Sequence, residues 1–428
     1  MDNTRDELTI TSDELQSPQK SSKKPSKKQP NFFKKHKKPL IIVGIILAVA
    51  GIATAIFFIF FFHPEEAVEE ARSESKPAVK YYSKLSGEEI ADDSENSKPL
   101  YCMQIPNGLD VGDPRIQIGL HQAKIVFEAI AEAGITRFAA IFQNPQGSML
   151  GPIRSMRSYY LAWDTPFNCT LVHAGGSDDA LQSIQDGHYR DLSENYSYMW
   201  RDYTAYVAPN NLFTSPGLLN QFNSDYGYNT SDFTAFPRLK PEEAKAETDK
   251  LTATDEKSAT SDQQNTTTTN QDESNKNTAP KPTPVNNIIV RFGGNSYFNP
   301  TYAYDAATNT YHRGWEYGAS HTSYDCPAGL EQPSPRANCT EVQLAPSAVA
   351  VIKVDQWLDT DGYHQVLDVT DSGQAYIFQN GTIIEGTWSK ADTPSQIEFK
   401  DKQGETIKFT PGQLWISAIP NSTGSIDF

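Results

Sequence analysis

The chain has 428 residues, 21% of them charged and 11% aromatic, with a formal net charge of −16. The charge is divided: residues 1–39 carry 10 Lys/Arg against 5 Asp/Glu, whereas residues 63–428 carry 27 against 48. With no basic surplus in the acidic part to pair with phosphate backbones, a nucleic-acid-binding globule is excluded.

Residues 1–39, rich in Lys, Ser, Pro and Gln without an apolar period, read as a disordered basic cytoplasmic tail. Residues 40–62, LIIVGIILAVAGIATAIFFIFFF, are 23 residues without a charge. At about 1.5 Å per residue they are long enough for a transmembrane helix. A cleavable signal peptide has a shorter apolar core and a small-x-small end, which this run lacks. Lys34, Lys35, Lys37 and Lys38 precede it and Glu65, Glu66, Glu69 and Glu70 follow, so the N-terminus is expected in the cytoplasm and everything after His63 outside. Residues 63–98 read as a polar stalk.

Residues 99–239 mix helix and strand signals. LYCMQIP opens as a strand, and KIVFEAIAE and ITRFAAIFQ alternate around Ala133-Gly134, which predicts a hairpin. GPIRSMRSYYLAWDTP keeps helical spacing, with Met156, Tyr159, Tyr160 and Trp163 on one face. CTLVHAG reads as a buried strand, and SDDALQSIQDG and SPGLLNQFNSDYG as helices, the first capped by Ser177. This order predicts an α/β sandwich. Residues 240–284 hold no aromatic residue, no Val or Ile and a single Leu, so they read as a disordered linker.

Residues 285–428 show strand-length runs: TYAYDAATNTYHRGW, SAVAVIKVDQW, YHQVLDVT, AYIFQNGTIIEGTWS, QIEFKDKQGETIKFT and LWISAIP. Asn380-Gly381 between alternating runs is a strong hairpin signal, and an antiparallel barrel or sandwich is predicted. The fold class is therefore α+β, an α/β domain followed by an all-β domain. All four cysteines, Cys102, Cys169, Cys326 and Cys339, lie on the outer side, where disulfides persist. Cys326 and Cys339 bracket a Pro/Gly-rich loop and form the natural pair, and Cys102 and Cys169 start strands that could be neighbours. No zinc spacing, Walker A motif or dinucleotide fingerprint occurs, so neither a metal nor a cofactor is predicted.

Residues 99–239 contain seven Arg and one Lys, a bias that a planar fork for carboxylate or phosphate would explain. Arg154 and Arg157 stand where a helix is predicted to begin, and with Arg137 and Arg201 they form the candidate anion site. Glu128 and Glu132, two pleats apart on one strand face, and Asp202 support it or neutralise it as internal struts. His173 and Ser177, at a strand end before a helix, invite a catalytic reading. The structural alternative is a hydrogen-bonded histidine and a helix cap. His312, Arg313 and His321 read as hairpin residues.

FEAIAEAGITRFAAIFQ, LGPIRSMRSYY, LVHAGGSDDAL and MWRDY followed by NNLFTS resemble the YerB family of bacterial envelope proteins. YDAATNTYHRGWEYGASH, GTWSK and PGQLWISAIP are similar to the family's C-terminal β domain. The resemblance implies two domains, over about 99–239 and 285–425, and an envelope location; it brings no reaction. Family members are commonly lipoproteins, whereas here an apolar span takes that place. Lys124 stands where the family tends to have an Asp. The expectation is a single-pass cell-membrane protein, extracytoplasmic beyond the span, that binds an anionic envelope component through the four arginines. Two alternatives stand beside it. One is a transferase or hydrolase acting on a lipid-linked phosphate, with a layout similar to the LytR-CpsA-Psr transferases. The other is a non-catalytic scaffold for envelope proteins.

Overall fold

The structure is a computed structural model that describes residues 79–110, 113–114, 116–204, 207–249, 283–329 and 338–428. The predicted tail and the apolar run 40–62 lie outside the described residues. Among the described residues no helix is long and apolar enough to cross a membrane. Residues 79–428 form one compact unit.

The first half supplies β1 (Leu100–Pro106), β2 (Ile125–Glu132), β3 (Ile135–Gln143), α1 (Ser158–Asp164), β4 (Thr170–Val172), α2 (Asp178–Gly187), β5 (Arg190–Leu192) and α3 (Pro216–Tyr226). The second half supplies β6 (Asn287–Arg291), β7 (Pro300–Asp305), β8 (Thr310–Trp315), β9 (Ala348–Leu358), β10 (Gln365–Asp368), β11 (Ser372–Gln379), β12 (Thr382–Ser389), β13 (Glu398–Asp401), β14 (Leu414–Pro420) and β15 (Ser425–Asp427).

The predicted hairpins form for the predicted reason. Ala133 and Gly134 both take positive φ, 50° and 74°, between β2 and β3, and Asn380 and Gly381 do the same, at 53° and 68°, between β11 and β12. At Gly381 no other residue would serve, because a Cβ would sit 2.5 Å from the Tyr304 ring.

An eleven-stranded sheet runs β13-β12-β11-β9-β14-β2-β3-β1-β4-β5, with β10 pairing β9 off this path. The join between the halves is β14 beside β2, a parallel pair from Leu414↔Ile125 to Ser417↔Glu128. β14 is buried along its whole length and pairs β9 in parallel on its other side, as an uninterrupted apolar strand should. One face of this sheet packs Ile125, Phe127 and Ala129 against Trp163 of α1 and extends to Trp388 and Phe399. The other packs Val126, Phe138 and Trp415 against Ile288 and Tyr302 from a four-stranded sheet, β8-β7-β6-β15.

The fold is thus mostly β with few helices, and no closed barrel is found among the described residues. The α/β and β halves share one sheet instead of forming separate layers, because β14 and β2 each bury both faces and need a neighbour on both edges.

Two further differences concern segments read as polar spacers. Residues 79–98 contribute Leu85, fully buried, to the core, and residues 241–249 form a helix with Ala244 buried. Both disulfides are formed: Cys102–Cys169 with Cα atoms 5.8 Å apart, and Cys326–Cys339 with Cα atoms 4.2 Å apart. Cys102 on β1 reaches Cys169 because β1 and β4 are adjacent and parallel.

Candidate functional site

Even spacing would put Glu128 and Glu132 on one face of β2. The register of β2 against β3 shifts between Ile130 and Glu132, and the extra residue turns Glu132 to the α1 face while Glu128 stays on the opposite one. Each carboxylate then gathers its own buried partners.

On the α1 side, Glu132 receives Arg137 Nη2 at 2.9 Å and also pairs with Arg157; all three are buried. Arg137 Nη1 donates to Ser155 O at 2.7 Å. Tyr160 donates to Arg137 O at 2.7 Å, and Tyr159 to Ile130 O at 2.9 Å, which fastens α1 to the hairpin. Burial lowers both guanidinium pKa values and pushes the Tyr159 hydroxyl up to about 12. Tyr363, in the turn between β9 and β10, lies near both guanidinium groups, and His364 of that turn bridges Glu132. The second half of the chain therefore covers this pair of arginines.

On the opposite face, Arg313 of β8 donates through Nη2 to both Glu128 oxygens, at 3.0 and 2.8 Å, with both side chains at 0% exposure. Glu128 also accepts from Thr136 Oγ1 at 3.0 Å and Trp415 Nε1 at 2.9 Å. Four rings surround the guanidinium, with Trp415 and Trp315 centroids at 4.4 and 4.5 Å and Phe138 and Tyr302 at 5.6 Å. Arg313 also contacts His321 Nδ1, whose Nε2 lies 3.1 Å from Gln117 Oε1. Glu128, Thr136, Phe138 and Gln117 come from the first half, and Arg313, Tyr302, Trp315, His321 and Trp415 from the second. The reading of Arg313 and His321 as hairpin residues missed this junction. A carboxylate on an otherwise apolar strand was a signal that a buried cation must face it.

The other candidates are placed separately. α1 begins at Ser158, with Arg157 extended at its N-cap, because the preceding segment is bonded as extended chain: Arg154 N to Gln104 O, Met156 N to Gly175 O and Ala174 N to Arg154 O. The expected cradle of Arg154, Arg157 and helix amides is corrected accordingly: Arg154 lies four residues before the first helical residue, and Arg157 turns to Glu132. Arg201 donates to Glu194 and, at 2.8 Å, to Asn211 Oδ1, not to its neighbour Asp202. Asp202 instead accepts from Thr204 N and Oγ1, at 2.8 and 2.6 Å. His173 is fully buried, its Nδ1 2.7 Å from Gly175 O and its Nε2 2.8 Å from Asp191 Oδ1. Both ring nitrogens thus lie within hydrogen-bond distance of oxygens of the fold itself. Ser177 holds the N-cap of α2 in extended backbone, but its side chain does not accept from the helix amides. Among the described residues no group of three or more His, Cys, Asp or Glu could hold a metal ion.

Residues 85–229 match the family model described as the N-terminal domain of a protein of unknown function, DUF3048, and residues 288–416 match its C-terminal domain. The chain belongs to the YerB family. YerB of Bacillus subtilis (strain 168), which bears a lipoprotein name, is 27% identical over 313 residues, 72% of this chain and 78% of its own length. The crystal structure of the YerB protein from Bacillus subtilis superposes with a TM-score of 0.61 at 22% identity, covering 82% of this chain and all of that one. At that identity the second match is a likeness of fold. The boundary between the two YerB-family domains falls where the structure joins them by β14–β2 pairing and the Glu128–Arg313 pair.

Proposed function

We propose that the chain is a membrane-anchored, extracytoplasmic and non-catalytic scaffold of the cell envelope. The observation that carries this reading is the state of the arginines. Arg137 and Arg157 share buried Glu132 and Arg313 holds buried Glu128, so these forks serve the interior of the fold, while Arg201 holds Glu194 nearer the surface. An anion site built on Arg137, Arg154, Arg157 and Arg201 would require these pairs to open at the cost of buried ionic contacts. Anchoring is supported by the charge-free run 40–62 with its basic and acidic flanks, and by the lipoprotein name of the Bacillus relative. Two disulfides suit an oxidising compartment.

The test is crosslinking of the tagged full chain in intact cells, beside a thermal-shift series with phosphate and pyrophosphate. A stoichiometric protein partner, with no anion-dependent shift, is the expected result. An anion-dependent shift that disappears in Arg154→Lys would replace the scaffold with an anion-binding function.

A further inference from the structure

The inner side of α3 and the chain that returns from it enclose a half-open cleft of about 280 Å³ between α3 and the start of β1. Its lining is unusual in chemistry: four asparagines (Asn144, Asn220, Asn223, Asn229), with Tyr101 and Lys98. Asn220 and Asn223 stand three apart on α3 and so share a helix face. Gly227, at φ 76°, ends the helix and turns the chain back so that Asn229 joins them.

Asn223 is the deepest of the four, at 1% exposure. Its Oδ1 accepts from the Thr170 hydroxyl at 2.6 Å, while its Nδ2 has no partner within hydrogen-bond geometry among the described residues and faces only the Tyr101 hydroxyl, which itself donates to Asn220. A buried amide donor left open in this way costs stability unless something supplies an acceptor. Tyr101 donates to Asn220 Oδ1 at 2.7 Å, and burial pushes its hydroxyl up to about 12, so it remains a neutral donor. The one ionic side chain in the lining, Lys98, is engaged by Glu95 at 2.6 Å. Next to Asn229 in sequence, the ring of Tyr228 stacks on that of Tyr226 with centroids 6.1 Å apart, and Tyr226 is 54% exposed.

We propose that this cleft binds one ring of an uncharged carbohydrate. Each asparagine amide offers a donor and an acceptor together, the pairing that neighbouring hydroxyl or acetamido groups require. The volume lies just below the range of drug-sized ligand sites, which suits a single ring, and the compensated lysine leaves no charge to select an anion. The site lies away from the arginine pairs and does not depend on the scaffold reading.

The test is saturation-transfer NMR on the full chain in detergent, with tri-N-acetylchitotriose and maltotriose as separate probes. A dissociation constant on the order of millimolar is expected for at least one. The Asn220→Ala/Asn229→Ala double variant, changed at the half-open side and checked for an unaltered melting temperature, should weaken binding at least about tenfold. Absence of transfer with both probes at about 10 mM, or transfer that persists in the double variant, would overturn the proposal.

Discussion

The Glu128–Arg313 pair makes the strongest quantitative demand on this structure. Replacing Arg313 by Met leaves a carboxylate at 0% exposure with, among the described residues, only the Thr136 hydroxyl and the Trp415 indole as donors. Removing one partner of a buried ion pair typically costs about 3–5 kcal/mol, and Arg313→Met belongs at the upper end, because two charge-assisted bonds vanish together. Glu128→Gln should cost less. The guanidinium keeps its four rings, two of them within 4.5 Å, and a desolvated cation–π contact is worth about 2 kcal/mol. The double variant Glu128→Gln/Arg313→Met should lose clearly less than the sum of the two, with a coupling of about 2 kcal/mol or more. Urea unfolding of residues 79–428 with both disulfides intact measures all three values. A coupling below about 0.5 kcal/mol would mean that the pair does not join the halves as the distances imply.

Glu132→Gln should destabilise by a similar margin by leaving Arg137 and Arg157 without their shared carboxylate. Since Glu132 and Glu128 serve opposite faces, combining it with Glu128→Gln should give an additive loss; strong coupling would place the two clusters in one network. Asp164, fully buried, has its pKa raised well above the carboxylate range by burial, and Gln104 donates to its Oδ2 at 2.9 Å. Asp164 Oδ1 and the Gln104 amide oxygen are otherwise unpaired among the described residues, and a protonated acid supplies the donor that two facing oxygens lack. The unfolded carboxyl ionises above about 3.9 while the folded one keeps its proton, so this residue lowers stability as pH rises from there towards its folded value. Asp164→Asn should therefore raise the melting temperature at pH 8 more than at pH 4; an equal effect at both would show that the acid is already ionised in the fold. Removing Cys102–Cys169, a 67-residue separation, should cost about 4 kcal/mol by loop entropy, against about 3 for the 13-residue Cys326–Cys339 loop. Denaturant midpoints of the two double Cys→Ala variants would test that order.

What the sequence disclosed was local. Ala133-Gly134 and Asn380-Gly381 turn because φ is positive at both positions of each, a requirement written in two adjacent residues. Ser215 and Gly227 bound α3 in the same manner. The distant relations were hidden. Glu128 finds Arg313 at a separation of 185 positions, and no periodicity names the strand that will lie beside another. The bulge near Ile130 reversed the inferred partnership of Glu128 and Glu132, since one added residue exchanges the faces of everything beyond it. Arg154 and Arg157 were placed on a helix by spacing, while hydrogen bonds to Gln104 and Gly175 kept their segment extended. In that case tertiary bonding overrode a correct local period.

The position of β14 also dictates when the molecule can be finished. Residues 414–420 close the gap between β9 and β2, near the middle of the sheet, although they follow both of those strands in the chain. Until they arrive, each half presents an unpaired strand edge flanked by apolar side chains, the kind of surface that recruits other chains. A nascent molecule must therefore be shielded until β14 has been made. A truncation before Leu414 leaves two open sheets where the finished molecule has one.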